Sequence, residues 1–549
     1  MEQEDQVMTQ PTPSIVTGWG RVLICGSTTW NHNWKKDRGK DAAKSDLLEP
    51  HILRSICNVR AAEIISGSTA NYCIVLDVFG AAYLFGKLPV ASLAPPNGLV
   101  SEQEPLKVSP TNVGLPRGSR WIAGSAARSH MFLIDSWGQV WGCGNNTMGQ
   151  VGLPVCGEVS KFTLVPGPWS EAGDRIVQIT AGNTFSLFLS DKGQVYAAGS
   201  SEAGQLGNGR TGERVLRAGK TSFDIEPPHL VEGALAGREI QRIASGSQHS
   251  LAMDKEGYAY GWGYGGYSRL GLGSQKNVLT PTVLPAFAGK PLTRAMAVLC
   301  GPASSMVITH QRVVYIAGKW KMTGDGSGGQ PYTIFKPIEH LPQMSNIMSA
   351  SCGGCTYFLT ATAPETDKMM TIGWGQGVVY GELGMGPDRG KSQSIPTPIE
   401  PLDSIAIFDV AAGPFHTLFL AKPSAELSEL PRWPLHIESP DLCVVCDEDS
   451  DEKGDPLECE KCDWPYHISC LDPPLPDIPS EAWFCPQCVS EGDAGPEEGG
   501  MSIAIAVNPV SDHEHGGEEQ GIQQQQETVR EKSLKRESMP MEVVPKQEP

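Results

Sequence analysis

The chain has 549 residues, 62 acidic and 43 basic, for a formal net charge of −19, and its length calls for two or more folded units. The charge is concentrated: residues 436–500 hold 18 acids and 2 bases, whereas residues 1–435 hold 35 and 36. The acidic segment therefore needs a basic partner, and direct nucleic-acid binding there is excluded because phosphates would be repelled. No run approaches a membrane span and the N-terminus has no apolar signal core, so no membrane partner is expected. Eight of the 15 cysteines show no disulfide-like framework, which suits a reducing compartment. The sequon at Asn145-Asn146-Thr147 is then without meaning.

In chain order, the polar stretch 1–15 is expected to be disordered. From Gly18 a pattern recurs. Its first half is a small-residue step containing Gly, followed by a semi-apolar strand. The steps are Ser66-Gly67-Ser68, Ala123-Gly124-Ser125, Ala181-Gly182-Asn183, Ser245-Gly246-Ser247, Cys300-Gly301-Pro302, Cys352-Gly353-Gly354 and Ala412-Gly413-Pro414. The seven glycines are 57, 58, 64, 55, 52 and 60 residues apart, a period that signals a repeat array or propeller. The second half is a strand opened by Gly, as in Gly80-Ala81-Ala82-Tyr83, Gly138-Gln139-Val140-Trp141, Gly193-Gln194-Val195-Tyr196 and Gly257-Tyr258-Ala259-Tyr260. β-rich runs bounded by Gly turns predict antiparallel strands. A third element, Met148-Gly149-Gln150-Val151-Gly152, returns as Gly204-Gln205-Leu206-Gly207, Arg269-Leu270-Gly271 and Glu382-Leu383-Gly384, with glycines placed for tight turns.

Six second halves follow seven first halves. The missing strand stands at the other end, as Gly20-Arg21-Val22-Leu23-Ile24-Cys25-Gly26. An N-terminal strand that completes the last blade closes the ring and removes exposed sheet edges. The expected fold is all-β: a seven-bladed β-propeller over 16–422, a linker at 423–440, a small two-zinc finger over 441–490, and a disordered acidic, Gln-rich tail over 491–549.

The propeller repeats resemble the regulator-of-chromosome-condensation repeat family, most of all its branch associated with mitotic chromosomes. The stretches carrying the likeness are 23–31, Met148-Gly149-Gln150, Gly263-Tyr264-Gly265-Gly266-Tyr267-Ser268-Arg269-Leu270-Gly271 and Gly381-Glu382-Leu383-Gly384. The resemblance covers essentially all of 16–422. The chain departs from that branch in lacking a long basic N-terminal extension and in carrying a zinc finger. Some family members are guanine nucleotide exchange factors for a small GTPase, so exchange, or binding of a small GTPase, is the rival expectation. No exchange wedge can be placed on a hairpin from the sequence, and fold does not fix function.

His130, His249 and His416 fall at equivalent repeat positions. Repetition predicts a structural role, one histidine per blade bonded to backbone. Gly263-x-Gly265-Gly266 lies between strands, without the strand-to-helix context of a phosphate loop. Cys352-Gly353-Gly354-Cys355 has no thioredoxin-like helix to lower a thiol pKa. No Ser/His/Asp or paired-carboxylate constellation is visible, and no enzymatic activity is expected.

In the acidic segment, residues 442–489 place Cys443, Cys446, Cys459, Cys462, His467, Cys470, Cys485 and Cys488 as C-x2-C, C-x2-C, H-x2-C and C-x2-C. Four close pairs of soft or imidazole ligands fit two tetrahedral zinc ions. All eight are used and no coordination position stays open, so the zincs are expected to be structural, and a segment this short and polar needs them to fold.

The lone His in fifth place and Trp483-x-Cys485-x2-Cys488 resemble the plant homeodomain (PHD) finger; a RING finger of an E3 ligase carries its His earlier. That resemblance implies cross-braced ligation, with Cys443, Cys446, His467 and Cys470 on one ion and Cys459, Cys462, Cys485 and Cys488 on the other. It also implies binding of the histone H3 N-terminal tail, which would add a strand beside residues 455–458. By match to the family, Glu460 and Asp463 would grip the tail's second residue, an arginine, and Asp441 and Asp455 would face its fourth, a lysine. Glu458 lines the same groove, and backbone carbonyls of 477–480 would receive the free amino terminus. A trimethyl-lysine reader needs an aromatic cage. Here Pro465 holds the usual cage-Trp position, Trp464 is one place early, and Leu442 and Leu457 stand where aromatics are expected. Unmodified lysine, hydrogen-bonded to carboxylates, is therefore the expected ligand. Gln523–Gln526 fall in the tail, and Leu534-Lys535-Arg536-Glu537 resembles an acceptor for a small ubiquitin-like modifier. The chain is thus expected to be a nuclear chromatin adaptor, although Lys35-Lys36 and Lys535-Arg536 are sparse as import signals.

Overall fold

The computed structural model describes residues 18–31, 46–93, 98–320, 330–366, 368–376, 378–448, 456–480 and 482–492. The expectations for 1–15, Lys35-Lys36, Asp455, the modifier-acceptor motif and residues 493–549 fall outside them.

Seven antiparallel sheets form the blades of a propeller. Their axial strands are Ala61–Ile65, Trp121–Ala126, Ile176–Ala181, Ile240–Ser245, Ala295–Cys300, Ile347–Cys352 and Ile407–Ala412. Each adjoins the next, and the seventh adjoins the first, so the ring is closed. Closure is made as the unmatched half-repeat predicts. Arg21–Gly26 pairs in register with His416–Ala421, Leu23 opposite Phe419, and every residue of that N-terminal strand is buried. The N-terminus contributes more than was expected, because Leu47–Leu53 is the fourth strand of the same sheet. A fifth, Arg432–Trp433, lies parallel to it and comes from beyond the propeller. A latch made of the segments flanking the propeller on both sides ties the ring shut by backbone hydrogen bonds.

Local chemistry explains the repeat. In blades 1, 2 and 4 a buried aspartate ends the second strand and caps its own turn. Asp77 Oδ1 accepts from the N–H groups of Phe79 and Ala81, Asp135 Oδ1 from Trp137 and Gln139, and Asp254 Oδ1 from Glu256 and Tyr258, all at 2.8–3.1 Å. The second oxygen takes the polar tip of the aromatic on the third strand: Tyr83, Trp141 or Tyr260. The Gly closing the third strand is required at Gly144 (φ +119°), where a Cβ would lie 2.5 Å from His130 Cα.

Blades are stapled to one another by the third element. Gln150, Gln205 and Glu382 each turn a side-chain oxygen back to the backbone N–H two residues earlier, at 2.8–2.9 Å. Their carbonyls then accept the hydroxyls of Ser186, Ser250 and Thr417 in the following blade. The repeated histidines are structural, as expected, but their Nε2 partner is a serine hydroxyl of the adjacent blade rather than backbone. The pairs are His130–Ser186 at 2.9 Å, His249–Ser305 at 3.1 Å and His416–Ser66 at 3.0 Å. Burial holds all three imidazoles neutral, pushing His130 and His416 down to about 3 and His249 well below its usual range. Cys352 and Cys355 are both buried, and burial pushes Cys352 upward, opposite to a reactive cysteine.

Candidate metal centre and peptide-binding face

Beyond the propeller the chain forms a short helix, Ala425–Ser428, capped by the Ser424 hydroxyl on Leu427 N–H. After Arg432–Trp433 it enters the finger. Regular structure there is slight: Leu457–Glu458 pairs with Pro465–Tyr466, a 3-10 turn spans Ile468–Cys470, and a helix spans Pro486–Gly492. The core of the finger is small, with Cys459, Tyr466, Leu471, Cys485 and Cys488 buried and Trp464, Leu475, Trp483 and Phe484 packed around them.

The eight spaced residues assemble into two sets of four. Cys443, Cys446, His467 and Cys470 form one and Cys459, Cys462, Cys485 and Cys488 the other, with ligand atoms in each set within 4.8 Å of one another. Cross-bracing follows from the chain path, since the four pairs alternate: the first and third form one set and the second and fourth the other. A zinc tetrahedron with bonds of about 2.3 Å has edges of about 3.8 Å. Cys462 Sγ and Cys485 Sγ are 3.8 Å apart, and His467 Nδ1 lies 3.4 Å from Cys446 Sγ and 3.8 Å from Cys470 Sγ. His467 thus turns Nδ1 toward its three sulfurs. Backbone donors favour the thiolate of Cys443. Burial opposes ionisation of Cys443, but backbone N–H groups of His467, Val445 and Cys446 aimed at its sulfur outweigh that and lower its pKa to about 6. Cys485 N–H likewise donates to Cys459 Sγ at 3.3 Å. The donor set fits two zinc ions, which when bound supply the cross-links that so small a core lacks.

The first two C-x2-C turns are closed the same way. Asp447 and Asp463, directly after Cys446 and Cys462, adopt left-handed φ of 56° and 53°, and their N–H groups donate to the Cys443 and Cys459 carbonyls at 2.8 and 2.9 Å. Aspartate tolerates that conformation better than most residues. The repeated Cys-Asp dipeptide signals this turn in the sequence.

The residues expected to meet a tail fall into two groups. Asp441 and Glu458 are exposed, and Asp455 lies outside the described residues. Among the described residues, strand Leu457–Glu458 pairs on one side alone, with Pro465–Tyr466. Leu442 is exposed, while Trp464 is drawn into the finger's own core and Pro465 is buried, so these residues form no open aromatic cage. Glu460 and Asp463 are placed differently: Glu460 is ion-paired with Arg432 and Asp463 with Arg54. Nothing in the local sequence of the finger signals those partners, which come from the linker and from the closing blade.

A ring-closed seven-bladed propeller followed by a cross-braced two-zinc finger defines a two-module scaffold with no assembled catalytic group among the described residues. The RCC1-like domain profile matches residues 21–419 and the PHD-finger profile residues 443–488. The chain belongs to the RCC1-like domain family and carries a PHD finger. It is 26% identical over 438 residues to Protein RCC2 homolog of Xenopus laevis, covering 75% of this chain and 81% of that one. It is also 26% identical over 424 residues to human Protein RCC2, covering 74% and 77%. Among solved structures, human WBSCR16 superposes with a TM-score of 0.56 at 22% identity, covering 73% of this chain and 99% of that one. Prp20p of Saccharomyces cerevisiae does so with 0.55 at 16%, covering 75% and 94%. At these identities the likeness establishes the fold.

Proposed function

We propose that the protein is a nuclear, chromatin-associated adaptor whose finger binds the N-terminal tail of histone H3 while the propeller engages a second protein. The observation that carries this is a strand edge on an acidic module. Leu457–Glu458 offers main-chain groups on its unpaired side for an extended peptide, and the carboxylates of Glu458 on that strand and of Asp441 before Cys443 are exposed. Asp441 and Asp455 would take the tail's lysine, and Glu460 and Asp463 its arginine, by charge-assisted hydrogen bonds. With no aromatic cage among the described residues of the finger, an ammonium that keeps its protons is preferred to a trimethylated one. Titration of the zinc-loaded full chain with H3 N-terminal peptides tests this. Tighter binding of the peptide unmodified at its fourth residue is expected. Tighter binding of the trimethylated peptide would overturn the lysine assignment, and no binding of either would overturn tail recognition.

One observation favours a small GTPase as the propeller's partner. Between the third and fourth strands of blade 3 the chain inserts a hairpin, Arg214–Val215 paired with Thr221–Ser222, and exposes Val215 and Leu216 at its tip. The Prp20p structure was described together with binding to Gsp1p and histones, and a mouse relative, 28% identical over 332 residues, is an RCC1-like G exchanging factor-like protein. A nucleotide-release assay against a GTPase panel, with the wild-type chain and Val215→Asp, measures this. Release that depends on Val215 supports an exchange factor; no release from any GTPase removes it.

A further inference from the structure

The two carboxylates assigned to a tail arginine already hold arginines of this chain. Arg432 sets its Nε and Nη2 on Glu460 Oε2, and Arg54 sets Nη1 on Asp463 Oδ2. We propose that Glu460 and Asp463 form a guanidinium-binding site that the chain fills in cis, with Arg432 as the exchangeable occupant. An arginine-bearing basic peptide then enters this site only by displacing the linker. The proposal rests on the finger being a peptide reader, as above.

The two arginines are not equivalent. Arg54 is 5% exposed, belongs to the turn Arg54–Ile56 behind the closing blade, and also donates from Nη2 to the Leu435 carbonyl at 3.3 Å. It is part of the wall. Arg432 is 28% exposed and sits on a two-residue strand at the outer rim of the seventh sheet, joined to Leu47–Leu53 through Ile52 and Leu53. Its removal would not free the finger, which has further anchors. Asn58 Nδ2 donates to the Cys488 carbonyl at 2.6 Å, the Arg21 guanidinium lies 4.7 Å from the centre of the Phe484 ring, and Phe484 and Leu430 pack on the apolar core of the closing blade. Gly492 approaches so closely that a Cβ there would lie 2.4 Å from the Asn58 carbonyl oxygen. The linker keeps its own hold through Trp433, whose indole N–H donates to Glu102 Oε1 at 2.9 Å, while Trp30 donates to Oε2 of the same carboxylate at 2.8 Å.

The charge balance gives the device its effect. Two carboxylates facing two guanidiniums present no net attraction to a third, so an incoming arginine gains only when Arg432 leaves. The apparent affinity is the intrinsic one multiplied by the fraction of chains with the site open. Glu458, on the exposed strand edge, and Asp441, exposed just before Cys443, stay available to the rest of a basic peptide.

The test titrates the zinc-loaded full chain and its Arg432→Ala and Arg432→Gln variants with the unmodified H3 N-terminal peptide, and with the same peptide carrying alanine at its second residue. Zinc content and the melting temperature of the propeller verify that the variants are folded. Both variants are expected to bind the natural peptide about tenfold tighter than the parent chain, within the usual range of coupling between two sites, and to gain nothing with the alanine peptide. Glu460→Gln is expected to weaken binding and to cancel the gain when combined with Arg432→Ala. Equal affinity of parent and variants would overturn cis occupancy while leaving tail recognition standing. No binding by parent or variants would overturn tail recognition, and the cis site with it.

Discussion

Propeller and finger solve the problem of staying folded by opposite means. The propeller buries a continuous apolar interior. Its largest cluster alone runs from Val22 and Ile24 on the N-terminal strand through Phe132 and Trp169 to Leu418 and Leu420, and it repeats the same turn caps and interblade hydroxyl bonds around the ring. The finger has two two-residue strands and a core of five buried residues, three of them cysteines of one ligand set. Apolar burial scales with chain length and closes only in a large fold, so a segment of about fifty residues replaces it with metal bonds. The difference teaches where each module can be perturbed without the other.

Chelation should separate them most sharply. Removing zinc is expected to release two equivalents of metal and to unfold the finger, abolishing its peptide binding. The propeller should keep its β signal in far-ultraviolet circular dichroism and its melting temperature. A propeller that melts on chelation would show that the finger is part of its stability. Acid should then act on the propeller through its histidines. The folded pKa values of His130 and His416, about 3, lie below the ordinary 6.5. The stability they contribute is therefore complete above pH 6.5 and is lost as pH falls toward 3. At pH 4.5 the loss is on the order of 2 kcal/mol per buried histidine. Denaturant melts of the β signal at pH 7 and 4.5 read it, and His130→Gln should make the pH dependence shallower.

A single turn cap is the next smaller effect. Asp135 is wholly buried and accepts two backbone N–H groups and the Trp141 indole, so Asp135→Ala strands three donors and should cost about 2 kcal/mol in urea unfolding. A pH effect of opposite sign is expected at Glu63 on the first axial strand. Burial, then the neighbouring Asp409 charge, raises its pKa from 4.5 to about 8. The stability it contributes is complete below pH 4.5 and declines as pH rises toward 8. Glu63→Gln should be more stable than the parent by up to about 4 kcal/mol at pH 8 and by about 1 kcal/mol at pH 5. Equal curves at both values would mean that water reaches this carboxylate in the folded chain.

The Gly-centred period between Gly67 and Gly413, and the half-repeat at 20–26 left over to close the ring, were legible because every blade needs the same tight turns at the same spacing. The eight ligands were legible because a zinc site requires close pairs of soft donors. The second latch strand, Leu47–Leu53, was not, since it lacks the Gly frame of the other strands and is recruited by pairing with Arg21–Gly26. Nor was the state of Glu460 and Asp463. Their types and positions marked them as acids for a guanidinium, but which guanidinium reaches them depends on Arg432, brought over by the linker, and on Arg54, hundreds of residues away along the chain. Local chemistry, which repeats in the sequence, determines the modules; long-range ion pairs leave no periodic trace and are decided only when the closed ring brings its latch against the finger.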